Sequence, residues 1–396
     1  MTLPLRGTVV LALEQAVSGP LATRLLLDQG ATVVKVERPG EGDFARHYEH
    51  HCAGVSSYFA WLNHGKDSVA IDLKSAAGRD VARRLADAAD IVVQNFAPGA
   101  ATRLGLGPRQ LRHRRPDLIY ASISGYGDGG SYAERKAYDL LVQAEAGVIA
   151  VTGEPGHPAK SGVSLCDIAA GTSAALAVLG AMAQRRAGGG GASLSVSMFD
   201  ATLDWTAPTL GLYLATGNEP TPAGLHHLHV APYGPFRCGD GAEIFLVAQQ
   251  DREWNLMCTD VFHRPDLAGD GRFAVMAGRM AHRDALHAAI EEVLATAPAA
   301  EWERRLVAAG LATARLRSVA DVAAHPVVAE RGLLQEVRSA AGTARIPVQP
   351  IRSSAGPMGG GPRIPAVGEH TECWLRRVGY GPAERRRLRA TNAVAG

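Results

Sequence analysis

Cysteine is scarce in this chain and badly placed for structural chemistry. The five cysteines, Cys52, Cys166, Cys238, Cys258 and Cys373, are odd in number and contain no C-x-x-C pair. That excludes a disulfide framework and a thiolate zinc site. An excess of one charge sign is also missing. The 41 Lys and Arg residues meet 39 Asp and Glu, a formal net charge of +2, so bulk electrostatics give no support to a nucleic-acid or membrane-surface partner. No uninterrupted apolar run reaches membrane-spanning length with flanking anchors; residues 168–183 come nearest, but are Ala-rich and a little short. The opening Met-Thr-Leu-Pro-Leu-Arg-Gly lacks the charged and apolar regions of a signal peptide. His226, His227 and His229 have no acidic or cysteine neighbours at ligand spacing, so we read loop histidines and expect no metal. We expect a reduced, cytoplasmic protein without a membrane segment.

What is present is ample core material: 46% of the 396 residues are hydrophobic and 20% charged, enough for two or three domains. Residues 9–13 read as a buried strand. Residues 19–30 read as a helix with an early proline and a closing glycine, and residues 31–37 as a second strand. This β-α-β unit repeats in the strands expected at 67–74, 90–95 and 118–124, with a helix over 78–89. Such near-continuous apolar strands point to a parallel sheet covered on both faces. The acidic residue ending the second strand, Glu37, suggests a dinucleotide ribose site. The first turn, Glu14-Gln-Ala-Val-Ser-Gly19-Pro20, has one glycine instead of G-x-G-x-x-G, so the NAD signal is weak.

Further on, we expect a strand over 192–198, a helix over 199–214 and a hinge or crossover at 217–224. A hairpin follows over 233–248, then a small α+β domain, then a strand at 314–317 leading back. The Pro/Gly/Ser-rich stretch 340–366 is expected to be an extended loop over the surface, followed by a helix within 368–379. The domain boundaries expected are 1–225 with 320–396 for a large Rossmann-like domain, and 226–319 for the small one.

The strands repeatedly end in polar or glycine loops, and open α/β sheets bind ligands at those carboxyl ends. Ser18, Arg38, Asn95, Gly125 and Asp167 are therefore expected to converge. Asp167 stands between a short extended run and a charge-free Ala/Leu segment that reads as a buried helix. A carboxylate in a first helical turn is kept ionised by the helix dipole and unpaired N–H groups. Two readings stand at this point, a helix cap or a nucleophile.

An ordered set of motifs resembles the family III CoA transferases, with formyl-CoA and carnitine-CoA transferases as members and α-methylacyl-CoA racemases as cousins. The pieces include Gly19-Pro20, Val36-Glu-Arg-Pro-Gly-Glu-Gly-Asp43, Asn63-His-Gly-Lys-Asp-Ser-Val-Ala-Ile-Asp-Leu-Lys74, Asn95-Phe96 with Arg103-Leu-Gly105, Ser124-Gly-Tyr-Gly127, Asp167, Ser197-Met-Phe-Asp200 and Gly368-Glu-His-Thr371. They cover nearly the whole chain in order. The resemblance implies that Asp167 is a nucleophile forming an acyl anhydride and then an aspartyl-CoA thioester, with Gln15 near the reacting carbonyl. It implies CoA contacts from Ala16, Val17, Arg38, Leu73, Lys74, Asn95, Phe96, Arg103, Lys136 and Tyr138, no resident metal or redox cofactor, and an interlocked homodimer.

Tyr138 stands where the racemases carry a histidine, which argues against a racemase. Residues 223–229 stand where formyl-CoA transferases carry a glycine-rich gate, which argues against oxalate/formyl specificity. Residues 56–66, 252–255 and 312–317 look most like the branch acting on mesaconyl-CoA, itaconate, citramalate or succinate. For the free carboxylate of such an acyl group we look to Arg46, with His47 or Tyr48. A dehydrogenase and a non-catalytic CoA-binding protein are the remaining alternatives.

Overall fold

The apolar runs near the N-terminus form strands because β-branched residues crowd them and glycines close the intervening turns. The computed structural model describes residues 3–354 and 356–396. Contacts divide the chain into two units. One comprises the chain up to Val148 together with Ser161–Asn218 and Ala329–Gly396; the other comprises Ile149–Lys160 and Glu219–Val328. The second unit thus takes in residues 149–160, 219–225 and 320–328, which the sequence had placed with the first.

Among the described residues, the first unit has a seven-stranded sheet. Its strands are β1 (Val9–Leu13), β2 (Thr32–Glu37), β3 (Asp67–Ile71), β4 (Ile91–Gln94), β5 (Ile119–Ser124), β6 (Ser193–Ser197) and β7 (Val394–Ala395). The order is β7-β3-β2-β1-β4-β5-β6, parallel except for β7, which runs antiparallel to β3. The strand order reverses at β1, whose neighbours are β2 and β4. A crevice opens at such a point, beyond the carboxyl ends of the strands.

The two-residue period of the strands sorts the core onto two faces. Val10 and Ala12 pack with Val33, Val93 and Ile123 on one side. Helices α1 (Ser18–Asp28) and, numbered below in chain order, Leu165–Arg186 cover that side with Leu26, Ala170, Ala174 and Val178. Val9, Leu11 and Leu13 face the other way, among Val36, Ile71 and Tyr120. That face is closed by the helix Ala76–Asp87 and by C-terminal residues Trp374, Leu375 and Leu388. The tail is pinned to β3: the Ala70 N–H donates to Thr371 Oγ1 at 3.0 Å and Trp374 Nε1 donates to Asp67 Oδ2 at 2.9 Å. N- and C-terminal segments thus build one α/β unit.

For the site, four helices matter: α1; α2 (Ser57–Asn63); α3 (Asp139–Glu145); and α4 (Leu165–Arg186). At 22 residues α4 is long and apolar enough to span a membrane, so the expectation of a too-short run is corrected; half of its most apolar window is buried within the protein.

Two other expectations fail. The stretch 340–366 is not wholly loop, because Leu334–Ser339 pairs with Gly342–Pro347 in a hairpin. Val337 and Ile346 of that hairpin are buried beside Phe59 and Ala60, and Ala344 packs against them, a pattern too short to stand out in a stretch rich in Pro, Gly and Ser. The helix expected over 199–214 is two helices, Met198–Trp205 and Ala207–Thr216, broken at Thr206 where Pro208 opens the second.

The second unit carries a three-stranded antiparallel sheet, Tyr233–Arg237, Glu243–Val247 and Thr313–Arg315, over a core with Trp254, Ile290 and Trp302. All five cysteines are free thiols. Among the described residues, no group of three or more His, Cys, Asp or Glu side chains could hold a metal ion.

Candidate active site

The turn after β1 is built from the inside out. Glu14 is fully buried and would be costly there without cations. Lys66 Nζ reaches its Oε1 at 2.6 Å and Lys35 Nζ at 3.4 Å. Lys66 also donates to Pro20 O, Thr23 Oγ1 and Asn63 Oδ1. Burial works to raise the Glu14 pKa, but the two lysines hold it below the ordinary carboxylate range. Lys35 continues to Asp43 Oδ2 at 2.9 Å. The other Asp43 oxygen accepts from the backbone N–H groups of Ala16 and Ala45.

Ala16 has φ +62°, a left-handed conformation costing about 1 kcal/mol for a residue with a Cβ. Its neighbour Gln15 is clamped on both sides by one amide. Asn95 Oδ1 accepts from Gln15 N at 2.9 Å, and Asn95 Nδ2 donates to Gln15 O at 2.8 Å. Gly19 makes room for that amide, since a Cβ there would lie 2.9 Å from Asn95 Cγ.

The second half of the site is the start of α4. Ser164 is its N-cap position and Asp167 its third residue. The cap is supplied from elsewhere. Asp139 Oδ1 accepts from Cys166 N at 2.8 Å and from Asp167 N at 3.3 Å, while Gln143 holds the other oxygen. Asp167 is therefore no cap residue, and its carboxyl is left for other work. One turn on, Gly171 lets α1 approach: a Cβ there would lie 2.6 Å from Ser18 O. Ser18 and Asp167 thereby share one wall of the cavity described below.

Asp167 is half-buried and no cation pairs with it among the described residues. Burial and then the Asp139 charge raise its pKa to about 7, with Ser18 opposing. This corrects the expectation from helix position alone. The dipole and N–H groups are outweighed by desolvation and a like charge. Tyr48 is pushed up to about 12, by burial first and then by Asp43 and Asp167.

Asp167 lines a cavity of about 1120 Å³, larger than most small-metabolite sites. All five residues expected to converge, Ser18, Arg38, Asn95, Gly125 and Asp167, line it. The sequence profile of CoA-transferase family III matches residues 5–371. The chain belongs to that family.

Relatives of this CoA-transferase family agree over nearly full length. An acetyl-CoA:oxalate CoA-transferase of Acetobacter aceti is 36% identical, covering 89% of both chains. A succinyl-CoA:mesaconate CoA-transferase of Haloarcula hispanica is 32% identical over 95% of this chain and 97% of its own. The crystal structure of a CaiB/BaiF family protein from Brucella suis superposes with a TM-score of 0.83 at 32% identity, covering 96% of this chain and all of the other. The protein is accordingly an enzyme of the family III CoA-transferase class. Residue Glu37 offers no ribose acceptor for a dinucleotide, because Arg46 and Ser68 occupy its oxygens.

Measured against a CoA-transferase site, the sequence-predicted residues divide. Gln15, Ala16, Val17, Arg38, Tyr48, Leu73, Lys74, Asn95, Phe96, Lys136 and Tyr138 line the cavity with Asp167. Arg103 does not; it is exposed, and its guanidinium donates to Pro98 O. Arg46 is also absent from the wall. It is buried, bonded through Nε and Nη2 to Glu37, bonded to Pro365 O and stacked on Phe59. Its charge is already spent, which corrects its assignment to a substrate carboxylate. His47 is bonded to Glu41 O, outside the cavity lining.

Sequence reasoning gave no role to Asp139, Asp43 or Gly171. Of these, only Gly171 carried a local signal: a glycine one helical turn after a first-turn aspartate.

Proposed function

We propose that this CoA-transferase moves CoA between short dicarboxylic acids, with the Asp167 carboxylate as the covalent carrier. The observation that carries the reading is an uncompensated carboxyl facing a cavity large enough for a thioester arm. The carboxylate attacks the thioester carbonyl of an acyl-CoA; the C–S bond breaks, giving an acyl-aspartyl anhydride and CoA thiolate. The thiolate attacks the aspartyl carbonyl, expels the first acid and leaves an aspartyl-CoA thioester. The acceptor carboxylate attacks that thioester, releases the thiolate and forms a second anhydride. Attack of the thiolate on the new acyl carbonyl yields the product thioester and restores Asp167. Half-burial of the site protects both intermediates from water.

Arg38, Lys74 and Lys136 supply cations for the phosphates of CoA, and Phe96 and Tyr138 supply aromatic surface. Support for dicarboxylic acids comes from the names of the relatives, which act on oxalate and mesaconate. Oxalate is a credible acceptor on that ground despite the altered 223–229 segment. With Arg46 spent and Lys136 given to the phosphates, Tyr48 and Arg135 are the groups left to take the second carboxylate.

The same reading places the enzyme in the cytoplasm as a homodimer. Support for pairing is the exposed apolar surface of Ala207–Thr216, where Leu210, Leu212, Tyr213 and Leu214 are open; light scattering after gel filtration would give the mass. No metal or redox group enters the steps, so chelation should leave the rate unchanged.

The test is an acceptor screen read by mass spectrometry. Succinyl-CoA is offered oxalate, mesaconate, itaconate, citramalate and monocarboxylic controls, with wild type beside Asp167→Ala. Transfer to the dicarboxylates by the wild type alone is expected. Equal transfer by Asp167→Ala overturns the carrier role, and preference for monocarboxylic acceptors overturns the substrate class.

A further inference from the structure

We propose that Arg135 grips the free carboxylate of the acyl group, and that Tyr132 is the positioning residue that holds its guanidinium at the cavity. This rests on the reading of dicarboxylic substrates given above. Arg135 lines the cavity and Tyr132 does not. The guanidinium carbon of Arg135 lies 3.6 Å from the centroid of the Tyr132 ring. A guanidinium stacked in this way uses its face. Its N–H groups lie in its plane and stay free for a carboxylate.

The charge of Arg135 is still available. Its ion-pair partner among the described residues is Glu145, with Nη1 and Oε1 3.9 Å apart and both side chains about half exposed. So long and exposed a pair is readily exchanged for a substrate carboxylate. Arg46, by contrast, gives Nε and Nη2 to Glu37, and Tyr48 offers a single neutral donor. Position favours Arg135 as well. It stands four residues before Asp139, whose Oδ1 accepts from Asp167 N at 3.3 Å. That is at most about 14 Å of backbone. Arg38 and Lys74 follow β2 and β3, which lie on the opposite side of β1 from β5, the strand that leads to Arg135. The phosphates of CoA thus have cations of their own.

The loop between β5 and α3 is built to hold the ring. Its neck is closed at Gly125, where a Cβ would lie 2.2 Å from the Ala137 Cβ. Gly127, Gly129 and Gly130 bring no side chain to anchor it. Aromatic packing does so instead. Tyr132 meets Tyr126 edge-on with centroids 5.4 Å apart, and Tyr126 packs on Phe199 at 6.1 Å. Tyr126 and Phe199 lie against the apolar core. A turn then brings Arg135 over the ring, its N–H donating to Tyr132 O at 2.9 Å. An arginine loses much rotamer freedom when it binds. Stacking on a ring anchored to the core removes part of that loss beforehand.

The experiment measures kcat/KM for succinyl-CoA and, by calorimetry, the dissociation constant of free CoA, which has the phosphates without the acyl carboxylate. Arg135→Met should lower kcat/KM about 10- to 100-fold, the loss of a charge-assisted pair. The CoA dissociation constant should stay within about threefold of wild type. Tyr132→Ala should raise KM for succinyl-CoA about fivefold at nearly constant kcat, again with CoA binding unchanged. Tyr132→Phe keeps the ring and should restore the wild-type KM.

Wild-type kcat/KM in Arg135→Met overturns the assignment. CoA binding weakened as much as kcat/KM in that variant overturns it too, and makes Arg135 a phosphate ligand. Parallel falls in kcat, CoA affinity and thermal midpoint in Tyr132→Ala, or a Tyr132→Phe no better than Tyr132→Ala, overturn the positioning role. If the wild type itself prefers monocarboxylic acids in the acceptor screen, the dicarboxylate reading has failed and this inference falls with it.

Discussion

Two carboxylates within one unit are treated in opposite ways. Glu14 is wholly buried and is met by Lys66 and Lys35, which keep it charged. Asp167 is less buried yet pairs with no cation among the described residues, and the charge that acts on it is another carboxylate, Asp139. The first arrangement is what a fold needs to bury charge: each ion has a partner and the remaining donors are satisfied. The second would be a defect in a structural residue. It makes sense in a nucleophile, because an uncompensated carboxylate is not held back by a salt bridge that attack would have to break. On the proposed reading the reactive group is the one left unpaired, while the paired cluster beneath it fixes the turn that carries Gln15 and Ala16.

The sharpest way to break this contrast is at the unpaired carboxyl. Asp167→Asn should lower transfer at least about a thousandfold, assayed by thioester exchange. The same variant should be more stable than the wild type above pH 7. The raised pKa means that the native state binds a proton more readily than the unfolded chain between about pH 4 and 7. Wild-type stability therefore falls as pH rises through that window, and the variant escapes the loss. For a half-solvated group we expect a gain on the order of 1 kcal/mol, checked by urea melts at pH 5 and 8.

Removing a partner from the paired site should have the reverse character. Lys66→Met leaves Glu14 with Lys35 alone and should cost about 3–5 kcal/mol of stability. Unchanged denaturation midpoints would show that the network is not holding the turn.

The Asp139 charge separates the two sites more finely. Asp139→Asn keeps an acceptor for Cys166 N–H but removes the like charge. The acid limb of kcat/KM, expected near pH 7 in the wild type, should then move to lower pH. A limb that stays in place would mean that burial alone sets it.

The smallest effect concerns the rim. Arg38→Ala should raise KM for acyl-CoA by about fivefold. Arg103→Ala should leave it unchanged, since Arg103 turns away to Pro98.

Much of the first unit was legible in the sequence. Residues 9–13, 67–74, 90–95 and 118–124 contain β1, β3, β4 and β5, because buried parallel strands are continuous apolar runs. The residues Gln15, Arg38, Lys74 and Lys136 could be named from ordered motifs, and they do face one cavity. Arg46 could not be judged that way. Its partner Glu37 sits nine residues back, and a motif reports which residue is present, not which oxygen already holds its charge. The hairpin at Leu334–Ser339 and Gly342–Pro347 and the edge strand Val394–Ala395 were missed for a related reason. Their pairing is decided by what lies beside them, and their own patterns are short.

By itself the sequence determined the alternation of strands and helices, the positions of the close-packing glycines and the presence of an aspartate at the start of a long apolar helix. Those are local properties, set by hydrophobic period and backbone sterics. Only the tertiary structure decided the chemistry of that aspartate. Its pKa, its Ser18 neighbour and its lack of a cation arise from groups up to 149 positions away in the chain, and electrostatics in a partly buried site depend on distance in space.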